Sequence, residues 1–186
     1  MSRFLVHDTP LCGLKLIERK PVGDARGFLS RLFCESELAA AGWTRGIAQI
    51  NHTLTRKQGA VRGMHFQRAP HVEMKLVSCL RGAVWDVAVD LRAGSPTFLK
   101  WHAAELSADN HRALLIPEGF AHGFQTLTAD CELLYLHSVA YVPDAEGGLQ
   151  PQDPALAIAW PLAISEISAR DSQHALLTQA YTGLNP

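Results

Sequence analysis

Arg62, His65 and Lys75 stand in one hairpin-sized stretch, Val61-Arg62-Gly63-Met64-His65-Phe66-Gln67 running on to Lys75-Leu76-Val77. Their neighbours are strand formers, not a solvated run of charge. Positive charge in an apolar setting is costly unless it meets an anion or a developing negative charge. A second dense stretch, Leu115-Ile116-Pro117-Glu118-Gly119-Phe120-Ala121-His122-Gly123-Phe124, brings another histidine after an apolar strand, in P-x-G-x-x-H spacing. The rest of the chain is read as the container for these groups.

That container is mainly β. The 186 residues suit one domain over 1–186 with room for a real core. Hydrophobic residues at 47% and charged residues at 19% exclude a disordered chain. A net charge of -1 leaves no basic field to hold nucleic acid. No apolar run reaches the ~18 residues of a membrane helix, and the first residues turn polar too soon for a signal peptide. Cys12, Cys34, Cys79 and Cys131 lack C-x-x-C spacing, so reduced thiols in a cytoplasmic protein are expected. Strands are predicted at 14–19, 28–33, 47–54, 59–66, 74–80, 83–91, 98–106, 113–116, 122–126 and 132–140, with a turn at 24–27. Strict alternation over 85–90 predicts one polar and one apolar face. A helix is expected over 36–42, capped by Ser36 and stopped by Gly42. A loop is expected at 144–148, and a short helix beginning at Ser168. Evenly spaced strands without intervening helices argue for a sandwich or barrel.

The spacing around His122 resembles the second motif of the cupin superfamily. Metal-binding cupins supply H-x-H and a downstream Glu from the first motif. Here the matching place reads His65-Phe66-Gln67, with Glu73 further on, and Gln is a poor ligand, so no metal is expected. Taken together, the motifs resemble the dTDP-4-dehydrorhamnose 3,5-epimerase family over nearly the whole chain. The set includes Asp24-x-Arg26-Gly27-Phe28, Gln49-x-Asn51, Arg62 to Gln67, Lys75-Leu76-Val77 and Asp86-Val87-x-Val89-Asp90-Leu91-Arg92. It goes on through Ser95 to Phe98, Pro117-x-Gly119-Phe120-Ala121-His122-Gly123-Phe124, Asp153-Pro154, Ile158-x-Trp160-Pro161 and Ser168-x-x-Asp171. The resemblance implies a cupin-type jelly roll, or β-sandwich, with a few short helices. It also implies a homodimer acting on a nucleotide-sugar substrate.

Epimerising a carbon beside a ketone requires removing a proton, holding an enolate and returning a proton to the other face. By resemblance His65 is the base, Asp171 orients it, Lys75 shelters the charge at the C4 oxygen, and Tyr135 is the acid on the opposite face. These residue types suit those tasks. No cofactor is needed, because the ketone itself acidifies the C–H bonds. Arg62 and His122 match sugar- and phosphate-contacting positions, while Arg26, Phe28, Gln49, Asn51, Tyr141 and Arg170 match nucleotide contacts, Arg26 and Phe28 often from a neighbouring subunit. The family usually has Glu where Arg31 stands and two tyrosines where this chain has Ala140-Tyr141, two departures at the base-facing end. Each assignment has a structural rival. Lys75 would also serve as an edge-strand guard, Tyr135 as a core tyrosine and Asp171 as a first-turn helix acid. His122 would also simply hold its turn. A 3,4-ketoisomerase, a non-catalytic sugar-nucleotide binder and a metal-dependent oxygenase are the competing functions on this fold.

Overall fold

The computed structural model describes residues 2–186. Fourteen strands and two short helices follow one another in the order β1 (Phe4–Asp8), β2 (Lys15–Arg19), β3 (Val22–Asp24), β4 (Gly27–Leu29), α1 (Glu35–Ala39), β5 (Gln49–Thr55), β6 (Ala60–Gln67), β7 (Lys75–Arg81), β8 (Ala83–Asp90), β9 (Trp101–Ser107), β10 (Arg112–Ile116), β11 (Phe120–Thr126), β12 (Cys131–His137), β13 (Glu146–Gly148), β14 (Glu166–Ile167) and α2 (Ala169–Ser172). Two sheets face each other. The first runs β1-β2-β10-β7-β12-β5, and the second runs β13-β6-β11-β8-β9 with β14 parallel to β6. A separate hairpin, β3-β4, stands off both. The architecture is the expected antiparallel sandwich of cupin type.

Strand parity builds three apolar layers. Between the sheets, Val77 and Cys79 of β7, Leu133 of β12 and Leu114 of β10 meet Val84 and Ala88 of β8 and Phe124 of β11. On the outside of the first sheet, Leu76, Leu115 and Leu136 pack under Leu38 of α1 and Trp43. Across the outside of the second, Val87, Val89 and Ala121 are covered by Leu156, Ile158, Trp160 and Leu177 from the C-terminal segment. Central strands are therefore buried on both faces, as near-continuous hydrophobic runs require.

Several sequence expectations need correction. The polar face predicted by the alternation at 85–90 does not meet water: Asp86 and Asp90 are both 0% exposed. One side of β8 faces the opposing sheet and the other faces the C-terminal segment. The strand expected at 28–33 stops at Leu29, since its hairpin has no sheet to bury against and all of Gly27–Leu29 is exposed. Ser36 lies inside α1 and does not cap it; Cys34 holds the N-cap position with no side-chain hydrogen bond. The strand expected from 98 begins at Trp101, after Leu99 turns through φ 59°. Residues 146–148 form β13 on the edge of β6, pairing driven by exposed backbone groups that propensity does not record. The helix beginning at Ser168 stands as expected: the Ser168 side chain accepts from the Asp171 N–H at 3.0 Å.

Candidate active site

The parity that fills the sandwich with apolar side chains places polar ones at one end of the same space. In β7 the inward series is Lys75, Val77, Cys79; in β12 it is Leu133, Tyr135, His137; in β8 it is Val84, Asp86, Ala88. The polar members join Asn51 and Thr53 of β5, His65 of β6 and His122 of β11 around a cavity of about 220 Å³. His65 comes from one sheet, and Tyr135 with Lys75 from the other, so they stand on opposing walls.

Arg62 and His65 are three apart, a spacing that points to opposite faces in a regular strand. Both nevertheless line the cavity. Pairing of β6 with β11 slips between His122↔His65 and Phe124↔Arg62. Gly63 sits at the slip with φ 120°, and a Cβ there would lie 2.5 Å from the Gly123 Cα. Such a position excludes any side chain. Arg62 is exposed, not enclosed as its apolar neighbours suggested, and makes no ion pair among the described residues. Its guanidinium is free for an incoming anion.

The His65 Nε2 lies 2.8 Å from Asp171 Oδ1, and the Gly63 N–H donates to Oδ2 at 3.1 Å. Asp171 is buried, which opposes ionisation, yet His65, the Gly63 N–H and Arg170 hold its carboxyl down at about 2. Arg170 Nη2 also approaches His65 Nε2 at 3.1 Å. One nitrogen cannot both donate to a carboxylate and accept from a guanidinium. Asp171 is buried and fixed, Arg170 is half-exposed and tied to Glu146 at 3.1 Å, so the N–H belongs to Asp171. Nδ1 then carries the lone pair.

Lys75 is buried, 3.2 Å from Glu73, and donates to the His65 carbonyl at 3.3 Å. Glu73 also takes His137 Nδ1 at 2.8 Å. Burial pushes the Glu73 carboxyl up, but His137 and Lys75 outweigh it and leave it below the ordinary range. His122 Nε2 meets Asp86 Oδ1 at 2.8 Å, and Asp86 Oδ2 has no partner. For Asp86 burial wins, and the carboxyl is raised. The Tyr135 ring packs edge-on to His122 at 5.9 Å and stacks on His137 at 6.0 Å. Burial, then the Asp86 charge, push its phenol well above the usual range, so it stays protonated.

Tyr141 lies at the cavity mouth, its hydroxyl donating to Glu146 at 2.9 Å and its N–H to Gln49 at 2.9 Å. Gln49 holds Asn51 at 3.1 Å. Arg170 and Arg62 line an adjoining hollow of about 690 Å³ with Arg56 and Lys57, reached past His65. Arg26 and Phe28 are not brought to either space. They stand exposed on the β3-β4 hairpin, with Arg26 paired to Asp24 at 2.6 Å. Gln67, where a cupin ligand would stand, has both ends of its amide engaged: it donates to the carbonyls of His71 and Ala140 and accepts from the Val142 N–H at 2.7 Å. Glu73, His137, Asp86 and Thr53 line or support the cavity and were missed. Counting by two from Tyr135 would have found His137; Asp86 stood in the alternating stretch 85–90, whose pattern does not say what its polar face meets.

A family model described as dTDP-4-dehydrorhamnose 3,5-epimerase matches residues 8–179. A protein of that name from Sinorhizobium fredii is 43% identical over 180 residues, covering 96% of this chain and 92% of its own. A dTDP-4-dehydrorhamnose 3-epimerase from Streptomyces niveus is 41% identical, covering 84% of this chain and 76% of its own. The structure of the Bacillus anthracis 3,5-epimerase with TDP and PPi bound superposes with a TM-score of 0.90 at 40% identity, covering 94% of this chain and 99% of that one.

Proposed function

This chain belongs to the dTDP-4-dehydrorhamnose 3,5-epimerase family, and on that premise we propose that it epimerises a nucleoside-diphosphate-4-keto-6-deoxyhexose, a dTDP sugar first among the candidates. The observation that carries the reading is the pairing of an oriented imidazole, His65, with a protonated phenol, Tyr135, on opposing walls of one cavity. A sugar ring between those walls offers one face to each. His65 Nδ1 takes a proton from the carbon beside the C4 ketone, and Asp171 stabilises the imidazolium that forms. Lys75 shelters the negative charge that moves onto the C4 oxygen. Tyr135 returns a proton from the other side, and the configuration inverts. No redox change occurs.

The diphosphate belongs with Arg62 and Arg170, whose forked donors suit paired phosphate oxygens. Tyr141, Gln49 and Asn51 are the nucleoside contacts within the chain, and His122 is a sugar contact. Arg26 and Phe28 complete the site of a neighbouring subunit in a homodimer. The exposure of Phe28 at 68% and Leu29 at 69% on a hairpin that leaves its own sheets supports a second copy as its cover. No helix of the described residues is long and apolar enough to cross a membrane. Free thiols at all four cysteines support a cytoplasmic setting.

Solvent exchange tests the reading. In D2O the product gains deuterium at C3, at C5 or at both, and NMR tells which. His65→Ala abolishes exchange and turnover together. Near-normal exchange in that variant overturns the base assignment. A change in melting temperature across dTDP, UDP, GDP and CDP ranks the nucleobases, because bound ligand stabilises in proportion to its affinity.

A further inference from the structure

Beside the His65–Asp171 pair stands a third group that the reaction does not use. His174 follows α2, three residues after Asp171, a spacing that puts both on one side of a helical turn. Its ring lies edge-on to His65 with centroids 6.5 Å apart. One ligand atom from each of His65, Asp171 and His174 lies within 4.8 Å of the other two. The Nε2 of His174 is buried without a hydrogen-bond partner, an uncommon state for such an atom. The ring is held in place by the strand it covers. A Cβ at Gly148 would come within 2.1 Å of it, and Gly148 pairs with His65 in the β13–β6 register.

We propose that His65, Asp171 and His174 form a binding site for a divalent transition-metal ion of the zinc type, and that the bound ion switches the enzyme off. Two imidazole nitrogens and one carboxylate oxygen are a donor set suited to Zn2+ and its neighbours, not to Mg2+ or Ca2+. Three protein ligands leave a fourth position for water. The set is not the cupin one, since Gln67 and Glu73 take no part. Arg170 is the obstacle: its guanidinium Nη2 stands 3.1 Å from His65 Nε2 and must swing aside. It must also give up the contact of its Nε with Asp171 Oδ1 at 3.6 Å; its exposed side chain, tied to Glu146 at 3.1 Å, has solvent to swing into.

The inhibition follows from the proton count on one ring. In the metal-free enzyme Nε2 carries the proton toward Asp171, and Nδ1 is open. A metal ion takes the Nε2 lone pair, so the single proton of the neutral imidazole moves to Nδ1. That nitrogen then has nothing with which to accept a proton from the substrate. Binding itself rests on geometry alone, whereas the loss of turnover rests also on His65 being the base.

Titration of the full chain with ZnCl2, followed by calorimetry, tests the site apart from catalysis. One ion per chain is expected, with turnover falling over the same range and returning on addition of EDTA. His174→Ala and the shape-preserving His174→Gln should weaken zinc binding by about 10- to 100-fold or more, with turnover in EDTA and the melting temperature unchanged. No saturable binding by the parent enzyme, or equal zinc sensitivity in both variants, overturns the site. Zinc binding that depends on His174 but leaves turnover intact upholds the site and overturns the inhibition, and with it the assignment of His65 as base.

Discussion

Replacing Asp171 by asparagine is the sharpest test of how His65 is set up. The substitution keeps the shape and removes the charge. The Gly63 N–H donates to Asp171 Oδ2 at 3.1 Å and can only meet an oxygen. The introduced amide therefore turns its oxygen to Gly63 and its NH2 to His65. That NH2 donates to Nε2, which forces the ring proton onto Nδ1, the nitrogen needed as base. Charge loss adds to this. Asp171 sits at about 2 against an ordinary 3.8, a net stabilisation of the folded carboxylate by roughly 2–3 kcal/mol. This net figure already contains the opposing cost of burial, so the favourable contacts to His65, Gly63 and Arg170 sum to more. If His65 holds most of it, losing the charge alone weakens the imidazolium by tens of fold. With the inverted tautomer, kcat should fall by about 10³–10⁴. The sign for stability is separate. A carboxyl lowered on folding contributes stability above its unfolded value, and that contribution is lost as pH falls from about 4 through about 2. Asp171→Asn should therefore be less stable than the parent at pH 7 by roughly 2–3 kcal/mol and show a flatter acid limb in denaturant titrations. Turnover within tenfold of the parent in a folded variant would refute the orienting role.

Asp86 makes the opposite prediction. Burial raises its carboxyl despite His122 and Lys75, so the charged form is the costly one in the folded state. Asp86→Asn should melt no lower than the parent at pH 7–8, and a clear drop would show the carboxylate to be a net stabiliser. Tyr135→Phe should slow product formation more than deuterium exchange, measured by NMR in D2O; equal loss of both counts against its part as acid. Lys75→Met should cost about 10²–10³ in kcat through the lost shelter for the enolate oxygen, with KM less affected. Light scattering should give twice the chain mass, and an active monomer would remove Arg26 and Phe28 from the site.

The candidate catalytic residues are picked out by resemblance to the epimerase family, with residue types that suit proton transfer beside a ketone. The Lys75 ammonium and the Tyr135 phenol sit on inward positions of regular strands, where two-residue periodicity puts them. The sandwich was legible for the same reason: short alternating strands with glycine and proline between them. Which faces were buried was not legible. Alternation at 85–90 is the same pattern whether the polar side meets water or another sheet, and only the packing of β8 between two layers settles it.

What the sequence determined by itself is the chemistry available: His65, Lys75, Tyr135 and Asp171, an antiparallel β framework, and kinship with a family of sugar epimerases. Tertiary structure alone decided who meets whom. Asp171 reaches His65 across 106 positions of chain, and Glu73 binds His137 across 64. The slip at Gly63 turns Arg62 and His65 to one cavity, and the turn after α2 sets His174 beside the pair. Such contacts arise from the stacking of two sheets and the return of the C-terminal segment. Periodicity along a strand fixes a direction for each side chain, but the partner it finds there depends on everything folded opposite.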